Sequence, residues 1–241
     1  MHEQSLFDEP AHCLALGAPL GLAPGDICLW PGLLTPREAA AAFAALRGSV
    51  RWRHDRIKLF GREHELPRLT AWHGDRGAGY VYSGIRQDPQ PWTDTLVALR
   101  RLVEAQIGLG FNSVLLNLYR DGNDTVAWHA DDEPELGPRP VIASLSVGAT
   151  RRFRLRRRDD HSRAVDLEIA SGCLLVMRGE SQAVCDHTVP RMRAVKEERI
   201  NLTFRRVQSS LRSSGASQAC EPTATAQSRY CRYQDATGTL Q

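Results

Sequence analysis

Helical periodicity in the first half of the chain, followed by a run of short strand-like segments, predicts an α+β protein: a curled double sheet backed by N-terminal helices. Two observations carry the helices. Thr35-Pro36-Arg37-Glu38 is a start signal, with Thr as N-cap, Pro at the first helical position and Glu closing a capping box, and an alanine-rich stretch runs on to about Arg47. A second helix is predicted from about Trp92 to Gln106, where Leu96, Leu99, Leu102 and Val103 mark an apolar stripe. The sheet rests on the change of period after Ser113.

Residues 1–25 hold several Gly and Pro and no sustained period, so an irregular lead-in is expected there. Asp26–Trp30 is a short strand. After the first helix, Val50–Arg53 and Arg56–Phe60 are strand-like, with Gly61 turning the chain, and Tyr80–Tyr82 precedes a turn at Ser83-Gly84. From Ser113 the strand-like runs are Ser113–Arg120, Val126–His129, Val141–Val147, Arg152–Arg157, Ala164–Ile169, Cys173–Met177 and Arg199–Arg206, with Asp121-Gly122 turning between the first two. After Val207 the composition collapses into Ser, Ala, Thr, Gln and Gly, so residues 208–241 are expected to stay disordered for want of apolar area to bury.

At 241 residues, 42% hydrophobic and 24% charged, the chain suits a globular protein of one or two domains. No run of eighteen apolar residues is present, so no membrane partner is expected. The N-terminus lacks the basic start of a secretory signal, and Leu14–Leu22 is interrupted by Gly17, Pro19 and Gly21, which predicts an intracellular, cytoplasmic protein. Six cysteines without Cys-x-x-Cys spacing exclude zinc-ribbon and redox-motif readings and leave reduced thiols as the default. The net charge of +3 names no partner, but arginine supplies nearly all the positive charge, Lys58 and Lys196 being the only lysines.

The chemistry centres on His129-Ala130-Asp131. On extended backbone, side chains two apart point the same way, so both can reach one metal ion. The third ligand is best sought in Cys185-Asp186-His187, just after the apolar run Cys173–Met177. Two histidines and one carboxylate on one face of a metal leave the opposite positions open, the usual set for non-haem Fe(II) oxygenases. His54, His64, His73 and His161 fall in polar stretches and are read as solvated. In Arg199–Arg205, Ile200, Leu202 and Phe204 share one face, while Arg199, Asn201, Thr203 and Arg205 share the other. Ser113–Arg120 repeats the design, with Asn117 and Tyr119 opposite Leu116 and Leu118. A Tyr hydroxyl, an Asn amide and two guanidinium forks make a cradle for a small dicarboxylate.

Taken together, Asn117-x-Tyr119-x-Asp121-Gly122, His129-x-Asp131-Asp132-Glu133, His187-x-x-Pro190 and Arg199-x-Asn201-x-Thr203-Phe204-Arg205 resemble the AlkB-type Fe(II)/2-oxoglutarate dioxygenases that repair alkylated nucleic acids. Order and spacing match across about ninety residues, with weaker similarity upstream to Asp26. The resemblance implies a double-stranded β-helix of the jelly-roll kind over 26–207, with a nucleotide-recognition region at 50–90. It implies Fe(II) held by His129, Asp131 and His187. Asn117, Tyr119, Arg199, Thr203 and Arg205 would hold the cosubstrate 2-oxoglutarate, with Asn201 supporting. O₂ is the oxidant, and the products are succinate, CO₂, formaldehyde and a demethylated base such as adenine or cytosine. One departure is visible: Cys185 stands where the family often has Trp, which predicts looser packing there.

The same resemblance extends to substrate. Leu59-Phe60-Gly61 and Leu66-Pro67-Arg68 are similar to the hairpin finger of the second human AlkB homolog, where a Phe wedges into the duplex as the damaged base leaves. Tyr80, Tyr82 and His129 resemble the aromatic clamp on the flipped base, and Asp132 and Glu133 would meet its polar edge, as suits the cationic 1-methyladenine and 3-methylcytosine. Arg152, Arg154, Arg156 and Arg158 share one strand face opposite Phe153 and Leu155; such a strip suits a phosphate backbone and carries no base information, or is a solvated strand face. The partner implied is DNA, possibly RNA, acted on by a monomer. Glu3-Gln-Ser-Leu-Phe7 is faintly similar to a sliding-clamp-binding peptide but departs where glutamine is expected. Three alternatives are weighed. The same oxygenase could act on RNA or a protein side chain. A zinc hydrolase could use the same three ligands, though this gives the Arg199 and Arg205 cradle no role. A non-catalytic nucleic-acid-binding jelly roll leaves the ligand set unexplained.

Overall fold

In a computed structural model, residues 13–59, 62–82, 85–87 and 89–208 of the protein are described. Strands β1 (Leu14–Ala15) and β2 (Ile27–Trp30) precede helix α1 (Pro36–Ser49). The hairpin strands β3 (Arg56–Leu59) and β4 (Arg62–Glu65) come next, then β5 (Leu69–Gly74). A second small pair, β6 (Tyr80–Tyr82) and β7 (Ile85–Gln87), leads to helix α2 (Asp94–Ile107). The remaining chain supplies β8 (Ser113–Tyr119), β9 (Val126–His129), β10 (Ile142–Gly148), β11 (Arg151–Arg157), β12 (Ala164–Ile169) and β13 (Leu174–Met177). A single helical turn, α3 (Ser181–Val184), enters β14 (Cys185–Val189), and β15 (Arg199–Arg205) closes the fold.

These strands form a seven-stranded sheet in the order β1-β2-β13-β10-β15-β8-β5 and a four-stranded sheet in the order β12-β11-β14-β9, antiparallel throughout. This is the jelly roll, and pleat parity decides what each layer buries. Leu116 and Leu118 of β8 and Ile200, Leu202 and Phe204 of β15 pack with Ala39, Ala42 and Leu46 of α1 and Leu96, Leu99 and Val103 of α2. The alternate residues of the same strands turn toward the second sheet, where Tyr119, Phe153, Leu155, Leu175, Met177, Cys185 and Val189 make a second core.

The helices form where their signals stand. Thr35 Oγ1 accepts the Glu38 N–H at 3.3 Å while the Glu38 carboxylate accepts the Thr35 N–H at 2.9 Å. Thr93 caps α2, and Gly108, at φ 75°, ends it in the left-handed region. Leu102 is 38% exposed, because it lies at the edge of the arc shared by Leu96, Leu99 and Val103. Val50–Arg53 is not a strand: Val50 continues the α1 ladder with its N–H on Leu46 O, and only an isolated bridge joins Arg53 to Thr70. Strand β5 carries no alternation because both its faces are covered, and its His73 is 3% exposed rather than solvated. The segment expected to be irregular pairs β1 with β2 and buries Leu20 completely. Among the described residues no helix is long and apolar enough to cross a membrane.

Arg151, on the inward face of β11, is 1% exposed. Its guanidinium donates to the carbonyls of Asp121 (2.9 Å), Asp124 (2.7 Å) and Pro190 (3.0 Å) and lies 5.2 Å from the Tyr119 ring. It thereby joins the β8–β9 turn to the segment after β14. Gly122 sits so close there that a Cβ would come within 1.7 Å of Met192 O, and its N–H bonds to Val195 O. Replacing Arg151 by Met should cost about 3 kcal/mol or more, since each buried carbonyl left without a donor costs about 1–3 kcal/mol. The urea midpoint should fall at unchanged slope; a wild-type midpoint would refute this account.

Candidate metal centre and anion slot

Register brings the ligands together. His129 ends β9 directly opposite His187 of β14, and their ring centroids are 4.2 Å apart. Asp131 follows two residues later, and ligand atoms of His129, Asp131 and His187 all lie within 4.8 Å of one another. His187 sits on a strand of its own, β14, reached from Cys173–Met177 through the single turn α3. His129 Nδ1 faces Ala127 O at 2.8 Å. A carbonyl can only accept, so Nδ1 carries the hydrogen and Nε2 is left with its lone pair for a metal. His187 is buried against Phe153, ring centroids 5.3 Å apart and nearly parallel.

Beside the ligands lies a slot whose floor is β8 and β15. Asn117, Tyr119, Arg199, Asn201, Thr203 and Arg205 all line it, joined by Ser144 and Met177 from β10 and β13. Pairing of Arg199 with Tyr119 and of Asn201 with Asn117 across the ladder explains why both strands show the same polar parity. Asn201 donates to Ser144 Oγ at 2.7 Å and accepts from Thr203 Oγ1 at 3.0 Å, which makes it a support for its neighbours. Arg205 bonds Asp131 Oδ1 at 2.5 Å, both groups buried. Arg199 gives Nη2 to Ser146 Oγ at 2.8 Å, but its buried Nε and Nη1 have no hydrogen-bond partner among the described residues. Burial pushes this guanidinium's pKa down. A buried cation with two orphaned donors fits an anion.

Arg68, which sequence reasoning did not assign to the site, also lines the slot, its Nε donating to Asn117 Oδ1 at 2.7 Å and its Nη1 to Thr125 O at 3.3 Å. The signal was present only as an arginine beside the finger-like stretch. Three guanidiniums, Arg68, Arg199 and Arg205, thus line the slot together with one carboxylate, Asp131, which Arg205 contacts. A divalent cation and a dicarboxylate both fit that charge balance, the dianion on the arginines and the cation on the histidine–aspartate set.

The substrate-side residues are placed less evenly. Phe60 lies outside the described residues, and Tyr80 and Tyr82 stand on β6. Asp132 is exposed and pairs with Arg158 at 3.1 Å, whereas Glu133 is buried. The outward face of β11 is mixed in charge: Arg154 pairs with Asp166 at 2.6 Å, Arg152 lies opposite Glu168, and Arg158 pairs with Asp186 at 2.8 Å. Arg156 stacks over Trp128, 4.0 Å from its ring centroid, so an aromatic surface next to His129 accompanies the arginines. Cys185, in the family's Trp position, is buried in the inter-sheet core, and burial raises its thiol pKa.

Burial, then the neighbouring His129, Arg205 and Arg158, holds His187 well below the ordinary histidine range. His73 is also lowered by burial, with its bond to Pro91 O working the other way. A histidine kept neutral in the fold takes a proton on unfolding once the pH falls below about 6.5. The unfolded chain then binds more protons, so stability of the metal-free protein should fall as pH drops through that range, by up to about 1.4 kcal/mol per pH unit for His187. Above it neither state is protonated and the contribution vanishes. Urea midpoints at pH 7.5 and 5.5 should differ less in His187→Gln than in wild type; equal differences would count against a neutral buried His187.

With this geometry in hand, residues 26–205 match the family model of the 2OG-Fe(II) oxygenase superfamily. The chain is 41% identical over 199 residues to the bovine (Bos taurus) "Alpha-ketoglutarate-dependent dioxygenase alkB homolog 3", covering 79% of this chain and 68% of that one. The human protein of the same name is 40% identical over 190 residues, covering 75% and 66%, so the chain spans about two thirds of these relatives. Human "DNA oxidative demethylase ALKBH2" is 36% identical over 195 residues, covering 77% and 75%. The solved structure of OsALKBH1 superposes with a TM-score of 0.56 at 16% identity, covering 75% of this chain and 96% of that one, a likeness of fold.

Proposed function

The chain belongs to the 2OG-Fe(II) oxygenase superfamily, as an AlkB-type dioxygenase, and from that premise we propose that it oxidatively demethylates N-alkylated bases in nucleic acid, DNA foremost. The observation that carries this reading is the slot itself: two opposed histidines and a buried aspartate beside Arg199, whose buried Nε and Nη1 have no hydrogen-bond partner among the described residues. Fe(II) with 2-oxoglutarate and O₂ supplies the oxidation of the N-alkyl carbon, after which the hydroxylated group leaves as formaldehyde and the base is restored.

The chain's own residues bind and position. His129, Asp131 and His187 would hold Fe(II). Arg199, backed by Tyr119 at 5.1 Å, would receive one carboxylate of 2-oxoglutarate, and Arg205 and Asn117 would help to orient the other. Asn201 and Thr203 hold one another and so fix the slot floor. Phe153 and Val189 give the metal side of the slot an apolar lining, Phe153 against the His187 ring. Support for a nucleic-acid substrate comes from the names of the relatives and from Trp128 with Arg154 and Arg156, a combination suited to stacking and phosphate contact. Tyr80, Tyr82, Asp132 and Glu133 are assigned to the flipped base, Arg152 to the backbone, and the recognition region to 50–90. A monomeric enzyme is proposed.

Formaldehyde release from DNA carrying 1-methyladenine or 3-methylcytosine should require both Fe(II) and 2-oxoglutarate and should disappear in His129→Ala and His187→Ala. Methylated RNA and methylated peptide are the comparison arms. Release from peptide alone, or undiminished turnover in either variant, would overturn the proposal. If Phe60 acts as a wedge, Phe60→Ala should lower the rate on duplex DNA several-fold more than on single strands; equal losses would remove that role.

A further inference from the structure

Asp131 lies beyond the end of β9, and this creates a structural problem. Strand pairing between β9 and β14 reaches His129 opposite His187 and stops, so no ladder partner holds the backbone that carries the third ligand. Its N–H bonds instead to a side chain, Gln182 Oε1, at 2.8 Å. Gln182 belongs to the turn α3 that feeds β14, and it is 2% exposed. Because an N–H can only meet the oxygen, the amide orientation is determined, and Nε2 is left facing Met177 Sδ at 3.5 Å on the slot wall.

A second tie runs in parallel. Arg158 donates to the carbonyls of Gln182 (3.1 Å) and Ala183 (3.2 Å) and to the carboxylates of Asp132 (3.1 Å) and Asp186 (2.8 Å). The residue after Asp131 and the residue before His187 are therefore clipped to the same turn. From the other side, the Arg205 guanidinium of β15 holds Asp131 Oδ1.

We infer that Gln182, braced by Arg158, is a positioning residue for the metal centre: it replaces the missing ladder bond and fixes the direction in which the Asp131 carboxylate points. The inference rests on the reading of His129, Asp131 and His187 as metal ligands. Groups that orient a metal ligand through a hydrogen bond typically change affinity by about 10–100-fold when removed. Gln182→Met keeps the volume and deletes the acceptor; Gln182→Glu keeps an acceptor at the same reach.

Co(II) titration of the metal-free protein, followed by its visible absorption, measures this without turnover. Wild type should bind, His129→Ala should set the baseline, Gln182→Met should weaken binding by about tenfold or more, and Gln182→Glu should recover most of that loss. Arg158→Gln, on the surface side of the clip, should weaken binding by a smaller factor and serves if the Met variant does not fold. Wild-type affinity in Gln182→Met, or in Arg158→Gln where only that variant folds, would overturn the inference. If wild type itself takes up no Co(II), the ligand reading fails first and this inference falls with it.

Discussion

Three guanidinium groups enclosed between the two sheets set the terms for the rest of this molecule. Moving an ion of that size out of water carries an effective penalty of several kcal/mol, offset only where geometry and hydrogen bonds are good. Arg151 meets the requirement with three backbone carbonyls, Arg205 with the Asp131 carboxylate, and Arg199 with a single serine hydroxyl and the face of Tyr119. The first is a structural tie, the second a tie to a ligand residue, and the third is incomplete. That gradation separates scaffold from site. A stretch of chain that only needed to fold would satisfy Arg199 as fully as Arg151; its unspent donors are where binding free energy for an anion is held in reserve.

The same constraint explains how one sheet serves two purposes. In β8 and β15 the pleat sends every second residue into the helix-backed core, where Leu116, Leu118, Ile200, Leu202 and Phe204 are fully buried, and the others into the slot. Register cannot slip by one residue without moving two arginines into the apolar core and five apolar side chains into the slot, so folding and site assembly are one event. The metal side has less protection of this kind. The short β9 pairs with β14 through an irregular register, and the ligand after it depends on side-chain bonds.

Most of the sheet, the His129–Asp131 pair and the polar face of β15 were legible in the sequence because they obey period two. His129 with Asp131, and Arg199 through Arg205, announce their faces by alternation, and Thr35-Pro36-x-Glu38 announces α1 by the chemistry of its cap. What alternation could not show was β5, covered on both faces, and β14, where Cys185, Asp186 and His187 carry no strand signal of their own and become a strand only through β11 and β9 on either side. Arg68 and Gln182 were illegible for a different reason: each acts across more than forty residues of chain on a partner, Asn117 or Asp131, that no local pattern links to it. The arginine run on β11 misled in part. Its outward parity was correct, but the acidic residues of β12 and β14 opposite Arg152, Arg154 and Arg158 become visible only once strands are paired.

That pairing bears on how a polyanion would meet this surface. Each exposed arginine–carboxylate pair is worth little to the fold, about 0–1 kcal/mol, so a phosphate can displace Asp166 from Arg154 at small cost while the exchange still cancels most of the long-range attraction. A face built this way is a poor site for indiscriminate electrostatic capture. Trp128, flanked by Arg154 and Arg156, adds an aromatic surface to this outward face, while its neighbour His129 turns into the slot, so any base stacked there would lie on the outside of the sheet that carries the two histidines.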